Sequence, residues 1–485
     1  MSGVSVNTIK GSASVPLCVD LDGTLLCSDL LYETGMAFLR KRPFRFYQPF
    51  VWLAQGKPAL KQNLAHVADI DVSVLPYNQQ VIDLIDAARQ EGRSIVLATA
   101  SHHSLAERIA DHLKLFDMVL ATDSERNLSA RCKHDLLVKH FGPGGFDYVG
   151  NSRDDLHIWE GARRSYVVDP EKDVEKQAKA LGNVEQVIKS DSVGLRDWAR
   201  ALRLHQWAKN VLVFVPLLAA HQLTNPALLW NGILAFLLFG LCASSVYLLN
   251  DLLDLADDRH HHSKRNRPFA AGRLSIKSGL VAFPVLLLTA FTGALWLLPW
   301  QFTGALGIYY VLTLAYSLAL KRYMAVDVIA LALLYTIRII AGAMAFGLEM
   351  TFWMLAFSMF IFLSLALVKR YAELHEAKKK GRTEKTRGRG YYPSDLEMIS
   401  SLGAAAGYLA VMVLALYIHD QTTIRLYAHP HVMWLACPLL LFWVSRVWML
   451  AHRGEMHDDP VVFAVKDRAS LVVGMLFCLV FWGAA

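Results

Sequence analysis

A chain of 485 residues with 54% hydrophobic and 19% charged side chains is too apolar for an ordinary soluble enzyme and long enough for two or three domains. Its net charge of +7 sits mainly in loops between apolar segments, which favours a membrane, anionic lipid and phosphorylated small molecules as partners and argues against nucleic acid. The six cysteines are scattered without metal-ligand spacing and imply reduced thiols, not a disulfide framework.

Residues 1–14 are small and polar without an apolar core, predicting a disordered start, no signal peptide and a following domain that stays in the cytoplasm. Residues 16–22, Pro-Leu-Cys-Val-Asp-Leu-Asp, read as a short buried strand ending in acids and turned by Gly23-Thr24. The following interval, about 28–92, holds Phe38-Leu39-Arg40-Lys41-Arg42-Pro43-Phe44-Arg45-Phe46-Tyr47, whose mixed basic and aromatic residues suit either a helix lying on an anionic bilayer or an ordinary packed lobe with basic edges. A helix is predicted at Gln80–Gln90, a strand at Ile95–Ala98 running into Thr99-Ala100-Ser101, and a helix at Leu105–Leu113. A third strand, Phe146–Val149, runs into Gly150-Asn151-Ser152-Arg153-Asp154-Asp155. Strands alternating with helices predict an α/β doubly wound domain over 15–170, with polar residues at the strand ends where ligands bind. The charged run 171–197 is predicted to be a linker helix.

From residue 198 onward, apolar stretches of about 20 residues alternate with short polar loops. Nine spans are predicted, near 208–224, 228–249, 277–298, 301–319, 325–347, 351–368, 398–418, 432–451 and 468–484. Lys and Arg concentrate in alternate loops and Arg425 is the single basic residue opposite, placing the N-terminal domain and the active sites on the cytoplasmic side of the inner membrane. At one loop Asn250, Asp251, Asp254 and Asp258 precede Lys264, Arg265 and Arg267. Spacings of three and four put the three carboxylates on one helix face, where a Mg²⁺ ion shared with substrate phosphates would relieve their repulsion. Arg338 falls inside an apolar span, where a charge needs a partner or an anion.

The soluble motifs resemble the haloacid dehalogenase (HAD) superfamily, a Rossmannoid α/β fold with a cap, here about 28–92. The resemblance implies that Asp20 is the nucleophile, Asp22 the general acid/base and Thr99 the holder of phosphoryl oxygens. Lys133 would offset charge between nucleophile and phosphate, and Asp155 would join Asp20 and Asp22 in holding Mg²⁺. Asn151 departs from the pattern, which has an acid after the glycine; either the metal is bound more weakly or the domain is degenerate.

Asn250-Asp251-x-x-Asp254-x-x-x-Asp258 resembles the first aspartate motif of the UbiA superfamily of membrane transferases, an all-α bundle covering 198–485. The segments at 202–210, 267–272, Tyr316-Ser317 with Lys321, 369–373 and Asp458-Asp459-Pro460 resemble its polyprenyl-phosphate phosphoribosyltransferase branch. The usual second Asp-x-x-x-Asp motif is absent, since Asp327 is followed by Leu331, and a donor other than a prenyl diphosphate is implied. The implied reaction joins phosphoribosyl diphosphate (PRPP) to a polyprenyl phosphate, with Asp251, Asp254 and Asp258 holding Mg²⁺ on the leaving pyrophosphate. Substrate-binding candidates are Arg203, Lys209, Asn210, Asn250, Lys264, Arg265, Arg267, Lys321, Arg338, Lys369, Arg370 and Glu373. Glu373, Asp458 and Asp459 serve either metal and ribose or salt bridges to Lys466 and Arg468. The HAD-like half would then remove the 5-phosphate from the product. The alternative is a prenyltransferase of quinone or haem biosynthesis with a regulatory HAD-like domain; homo-oligomerisation is left open.

Overall fold

The computed structural model describes residues 15–122, 128–190, 193–381, 383–385, 389–420, 427–456 and 459–484; the start at 1–14, Arg425 and Asp458 lie outside the described residues. The chain forms two compact units, residues 1–201 with 248–282, and residues 202–247 with 283–485.

The first unit is built on a parallel six-stranded sheet of β1 (Leu17–Val19), β2 (Ile95–His102), β3 (Met118–Thr122), β4 (Asp147–Gly150), β5 (Ser165–Val168) and β6 (Val184–Ile188), in the order β3-β2-β1-β4-β5-β6. β1 is buried at every residue, as a central parallel strand covered on both faces must be. It pairs with β2 on one side and β4 on the other, so Val19 lies opposite both Leu97 and Val149. The chain order reverses at β1, and the residues just beyond β1, β2 and β4 open into the crevice of a doubly wound sheet. Between β1 and β2 run α1 (Leu30–Lys41), α2 (Gln48–Ala54), α3 (Lys57–Val67) and α4 (Gln79–Gln90). Phe38, Leu60 and Leu64 give α1 and α3 a small core of their own, whereas Val81, Ile85 and Ala88 of α4 join the main core. Then follow α5 (His103–Leu113), α6 (Ala130–Phe141), α7 (Leu156–Gly161) and α8 (Val174–Ala180).

The expected linker helix over 171–197 is corrected: α8 is followed by β6, which pairs with β5, and only α9 (Leu195–Ala201) leads out. Val184, Val187 and Ile188 favour a strand once an open sheet edge is available, a tertiary preference that the charged composition conceals.

The membrane half contains α10 (Val215–Ala219), α11 (Pro226–Leu253), α12 (Leu255–His260), α13 (Ile276–Leu297), α14 (Trp300–Leu318), α15 (Val326–Phe346), α16 (Phe352–Lys379), α17 (Leu396–His419), α18 (Ala436–His452), α19 (Pro460–Lys466) and α20 (Arg468–Ala484). Among the described residues six helices are long and apolar enough to cross a membrane, those containing α11, α13, α15, α16, α17 and α18. The other three expected spans fall short: 208–224 is a 3₁₀ stretch, Leu204–Phe214, leading into α10; α14 carries Gln301, Thr303 and two adjacent tyrosines; and α20 is 17 residues long. In the second unit α15 is the central span, with 78% of its apolar window inside the protein, against 28% for α18 at the periphery.

Candidate active sites

In the first unit, Asp20 follows β1 directly and is buried against Lys133 of α6, whose Nζ donates to Asp20 Oδ1 at 2.8 Å and to Tyr148 Oη at 2.9 Å. Tyr148 Oη in turn donates to Asp155 Oδ1 at 2.9 Å. Asp155 Oδ2 accepts from the backbone N–H of Asn151 and Ser152, at 3.0 and 2.9 Å, and from Ser152 Oγ at 2.9 Å. This close approach needs Gly150, since a Cβ there would lie 2.7 Å from Asp155 Cγ. Asp22 Oδ1 accepts from the Leu30 N–H that opens α1, at 2.7 Å, and Oδ2 accepts from Ser101 Oγ at 2.6 Å. Thr99 is fully buried and its Oγ1 accepts from Ser101 N at 3.0 Å. Gly23 has φ of 73° and would meet Asn151 Nδ2 at 2.3 Å if it carried a Cβ, so Asn151 closes over the turn after Asp22.

Burial pushes the Asp20 carboxyl up to about 7, with Lys133 pulling it down and Asp155 pushing it further up. Burial likewise raises Asp22 to about 6, helped by the charge of Asp29. Asp20 and Lys133, both singled out in the sequence, therefore come together. Of the three acids expected to hold Mg²⁺, both oxygens of Asp22 and of Asp155 accept from protein donors in this arrangement, and no cluster of three acids, histidines or cysteines suited to a metal occurs among the described residues. Tyr148 and Ser101 were missed in the sequence because a tyrosine in a strand and a serine in a turn read as ordinary packing and turn residues.

The 248–282 segment belongs to the same unit, and the acidic ladder departs from its expected geometry. α11 ends at Leu253, and Asp254 sits between it and α12 instead of inside one helix. Asp251 and Asp258 converge on Arg267 Nη1, at 3.1 and 2.7 Å. Asp254 turns away and, with Asp257, pairs to Arg40 at the end of α1, which also donates to Leu253 O at 2.9 Å. Arg267 Nη1 thus lies between the carboxylates of Asp251 and Asp258, and Asp254 is not aligned with them. Asn250 accepts at its carbonyl from Asp254 N, and Lys264 and Arg265 lie exposed on a 3₁₀ turn. Near the ladder, Glu33 of α1 and Arg259 of α12 form a buried bidentate pair at 2.7 and 3.0 Å that the sequence did not signal.

In the second unit, Lys209 and Lys369 both donate to Asp459 Oδ2, at 2.8 and 3.0 Å, and Tyr335 Oη donates to the same carboxylate. Asp459 thus pairs with these lysines and not with Lys466 or Arg468. Arg338 is buried, donating to Asn210 Oδ1 and Tyr309 Oη at 3.2 Å each and to Leu334 O, with its guanidinium 4.9 Å from the Tyr309 ring centre. No carboxylate is among these partners, and Asn210 Nδ2 is buried without a hydrogen bond. Asp327 is fully buried and pairs with Arg370 at 2.6 Å and Arg389 at 3.1 Å, with Tyr316 Oη donating at 2.8 Å; Glu373 also pairs with Arg370. Arg203, with φ of 51°, lies over the Tyr247 ring at 4.9 Å, and Lys321 sits half-buried on the Leu320–Arg322 turn. Arg389, Tyr309 and Tyr335 were missed, being isolated in the sequence from any acidic motif.

The chain is thus a multi-helix membrane bundle with buried cation clusters, joined to a parallel α/β domain with a carboxylate–lysine centre. The UbiA prenyltransferase family matches residues 211–471, and the chain belongs to that family. It is 39% identical to the uncharacterized protein y4nM of Sinorhizobium fredii over 96% of this chain and 90% of that protein. It is 35% identical to the decaprenyl-phosphate phosphoribosyltransferase of Mycobacterium tuberculosis over 56% of this chain and 87% of that protein. A HAD-family hydrolase of Salmonella enterica superposes with a TM-score of 0.26 at 12% identity, covering 36% of this chain and 68% of that one.

Proposed function

We propose that the membrane half transfers 5-phosphoribosyl from PRPP to a polyprenyl phosphate, and that the N-terminal domain is a HAD-type phosphatase removing the 5-phosphate of the product. The observation that carries the transferase reading is Asp327, the acid left from the second aspartate motif, which is neutralised by two arginines and a tyrosine. A fully buried acid shared by two arginines and a tyrosine is a poor metal ligand, whereas Asp251 and Asp258 share one partly exposed arginine that a cation could displace, which supports a single metal site on the 251–258 ladder and a diphosphate on the sugar. The similarity to the mycobacterial phosphoribosyltransferase points the same way.

In this reading a phosphate oxygen of the lipid attacks C1 of the ribose as the C1–O bond to pyrophosphate breaks. The nucleophile is already an anion, so the chain supplies no base and instead supplies positive charge. Arg338, buried without a carboxylate beside Asn210 Nδ2, and the two lysines sharing Asp459 leave the interior of the bundle cationic, which suits two anionic substrates. Mg²⁺ held by Asp251 and Asp258 would neutralise the leaving pyrophosphate. In the N-terminal domain Asp20 attacks the phosphomonoester, Lys133 suppresses the repulsion between them, and Asp22 protonates the departing alkoxide. Both reactions are assigned to the cytoplasmic face, on the positive-inside pattern of the loops.

Reconstituted full-length chain given labelled PRPP and polyprenyl phosphate is expected to yield a dephosphorylated ribosyl lipid, and Asp20→Asn to stop at the phosphorylated one. Identical phosphorylated lipid from both chains would sink the coupled phosphatase. No ribosyl lipid from either chain, with product from a prenyl diphosphate and an aromatic acceptor, would sink the phosphoribosyl assignment.

A further inference from the structure

Between Glu33 and Asp69 the chain contains no acidic residue but carries Arg40, Lys41, Arg42, Arg45, Lys57 and Lys61. Within this stretch the 3₁₀ turn Pro43–Arg45 and α2 bury no residue at all. Phe44, Phe46 and Phe50 are 87%, 62% and 70% exposed, and Tyr47, Val51 and Leu53 beside them are exposed as well. The outward position is held by packing: Trp52 of α2 meets Phe38 of α1 edge-on at 5.3 Å, against the small core of Phe38, Leu60 and Leu64. A soluble domain gains nothing by holding three phenylalanines in water, and a contiguous apolar patch of this kind marks an interaction surface.

The chain itself locates the patch. Arg40 donates to the carbonyl of Leu253, the last residue of the spanning helix α11. Phe44 follows four residues later, so its backbone lies within about 14 Å of that of Arg40, the residue whose side chain reaches the end of a membrane helix, at roughly 3.5 Å per residue. The charge pattern then selects the occupant. A second copy of this chain docking by the same patch would set Arg42 and Arg45 against their own copies, because a two-fold interface repeats one surface on both sides, whereas Arg40 and Lys41 are already paired with Asp254, Asp257 and Asp69. An anionic bilayer instead accepts the aromatic side chains below its headgroups and pairs its phosphates with the flanking cations.

We propose that the hairpin 43–54 of the N-terminal domain is a membrane-insertion site, with Phe44, Phe46 and Phe50 among the acyl chains and Arg42 and Arg45 on anionic headgroups. The inference stands on exposure, charge and chain connectivity and does not depend on either reaction assigned above.

The test uses the full chain in vesicles of phosphatidylcholine and phosphatidylglycerol. Cys132 and Cys478, which are exposed, are replaced by Ser, and an environment-sensitive fluorophore is attached at Phe46→Cys, at Phe50→Cys or, as a remote control on α8, at Lys179→Cys. The labels at 46 and 50 are expected to be quenched about twofold or more by acyl-chain spin labels, less so in an Arg42→Gln/Arg45→Gln background, while the label at 179 is unaffected. Labels at 46 and 50 that water-soluble iodide reaches as readily as the one at 179 would overturn the proposal. So would their protection together with efficient 46-to-46 cross-linking between chains, which would make the patch a contact between copies.

Discussion

Asp22 shows what a buried carboxylate costs at the scale of one residue. Burial raises its pKa from 3.8 to about 6, so the folded chain holds this proton more tightly than the unfolded chain does. Its contribution to stability is fully present below about pH 4 and is lost as the pH rises through about 6. Asp22→Asn keeps an acceptor for Leu30 N–H, and its amide nitrogen can donate to a rotated Ser101 hydroxyl, while the titration is removed. The variant is expected to be more stable than the parent by about 1–2 kcal/mol at pH 8, and by less at pH 5, in thermal melts of the detergent-solubilised chain. Lower stability at pH 8 would show that the charge itself is wanted there. Asp20, Asp22, Thr99 and Lys133 were legible as motif residues because each follows a strand or lies at a motif interval. Tyr148 was not, since only the parallel pairing of β4 with β1 brings its hydroxyl between Lys133 and Asp155.

At the scale of the element, α1 connects two carboxylate centres of one unit. Its first N–H holds Asp22, Glu33 in its first turn pairs with Arg259, and Arg40 in its last turn grips Asp254 and Asp257. These two ion pairs differ in burial, and magnitudes decide which anchors the helix. The Glu33–Arg259 pair is nearly inaccessible to water, so Glu33→Gln, which strands the guanidinium, is expected to cost about 3–5 kcal/mol. Arg40 and its partners are a third or more exposed, and Arg40→Ala is expected to cost about 1 kcal/mol or less. Chemical denaturation of both variants checks the ranking, and equal losses would refute it. Helix periodicity put Asp251, Asp254 and Asp258 on one face, and the first and third do meet at Arg267. The middle one strays because α11 stops at Leu253, leaving Asp254 at the cap of α12, a position that short acidic side chains favour. No periodicity argument could have supplied Arg40, more than two hundred residues away.

On the scale of the whole molecule, hydropathy marked a change of character near residue 198, yet the compact units do not divide there. The chain crosses between them three times, after Ala201, Tyr247 and Ala282, and the segment 248–282 stays with the sheet domain. The physical reason is local and polar: Arg259 needs Glu33, Arg273 pairs with Asp197, and Gly272 lies so close to Cys27 that a Cβ would come within 2.8 Å. Hydropathy registers none of these contacts, because all of them lie in loops and helix ends. A chain beginning at Leu202 would keep every apolar helix long enough to span a membrane while losing the partners of Arg259 and Arg273. It is therefore expected to insert into membranes but to unfold at lower temperature than the full chain, with the loss concentrated in 248–282 as faster amide hydrogen exchange there. Supplying residues 1–201 as a separate chain should restore protection in 248–282, and the Glu33→Gln form of that fragment should restore less. Unchanged exchange in 248–282 after the truncation would mean that the aspartate ladder is held by the membrane helices alone, and that the sheet domain contributes nothing to its order.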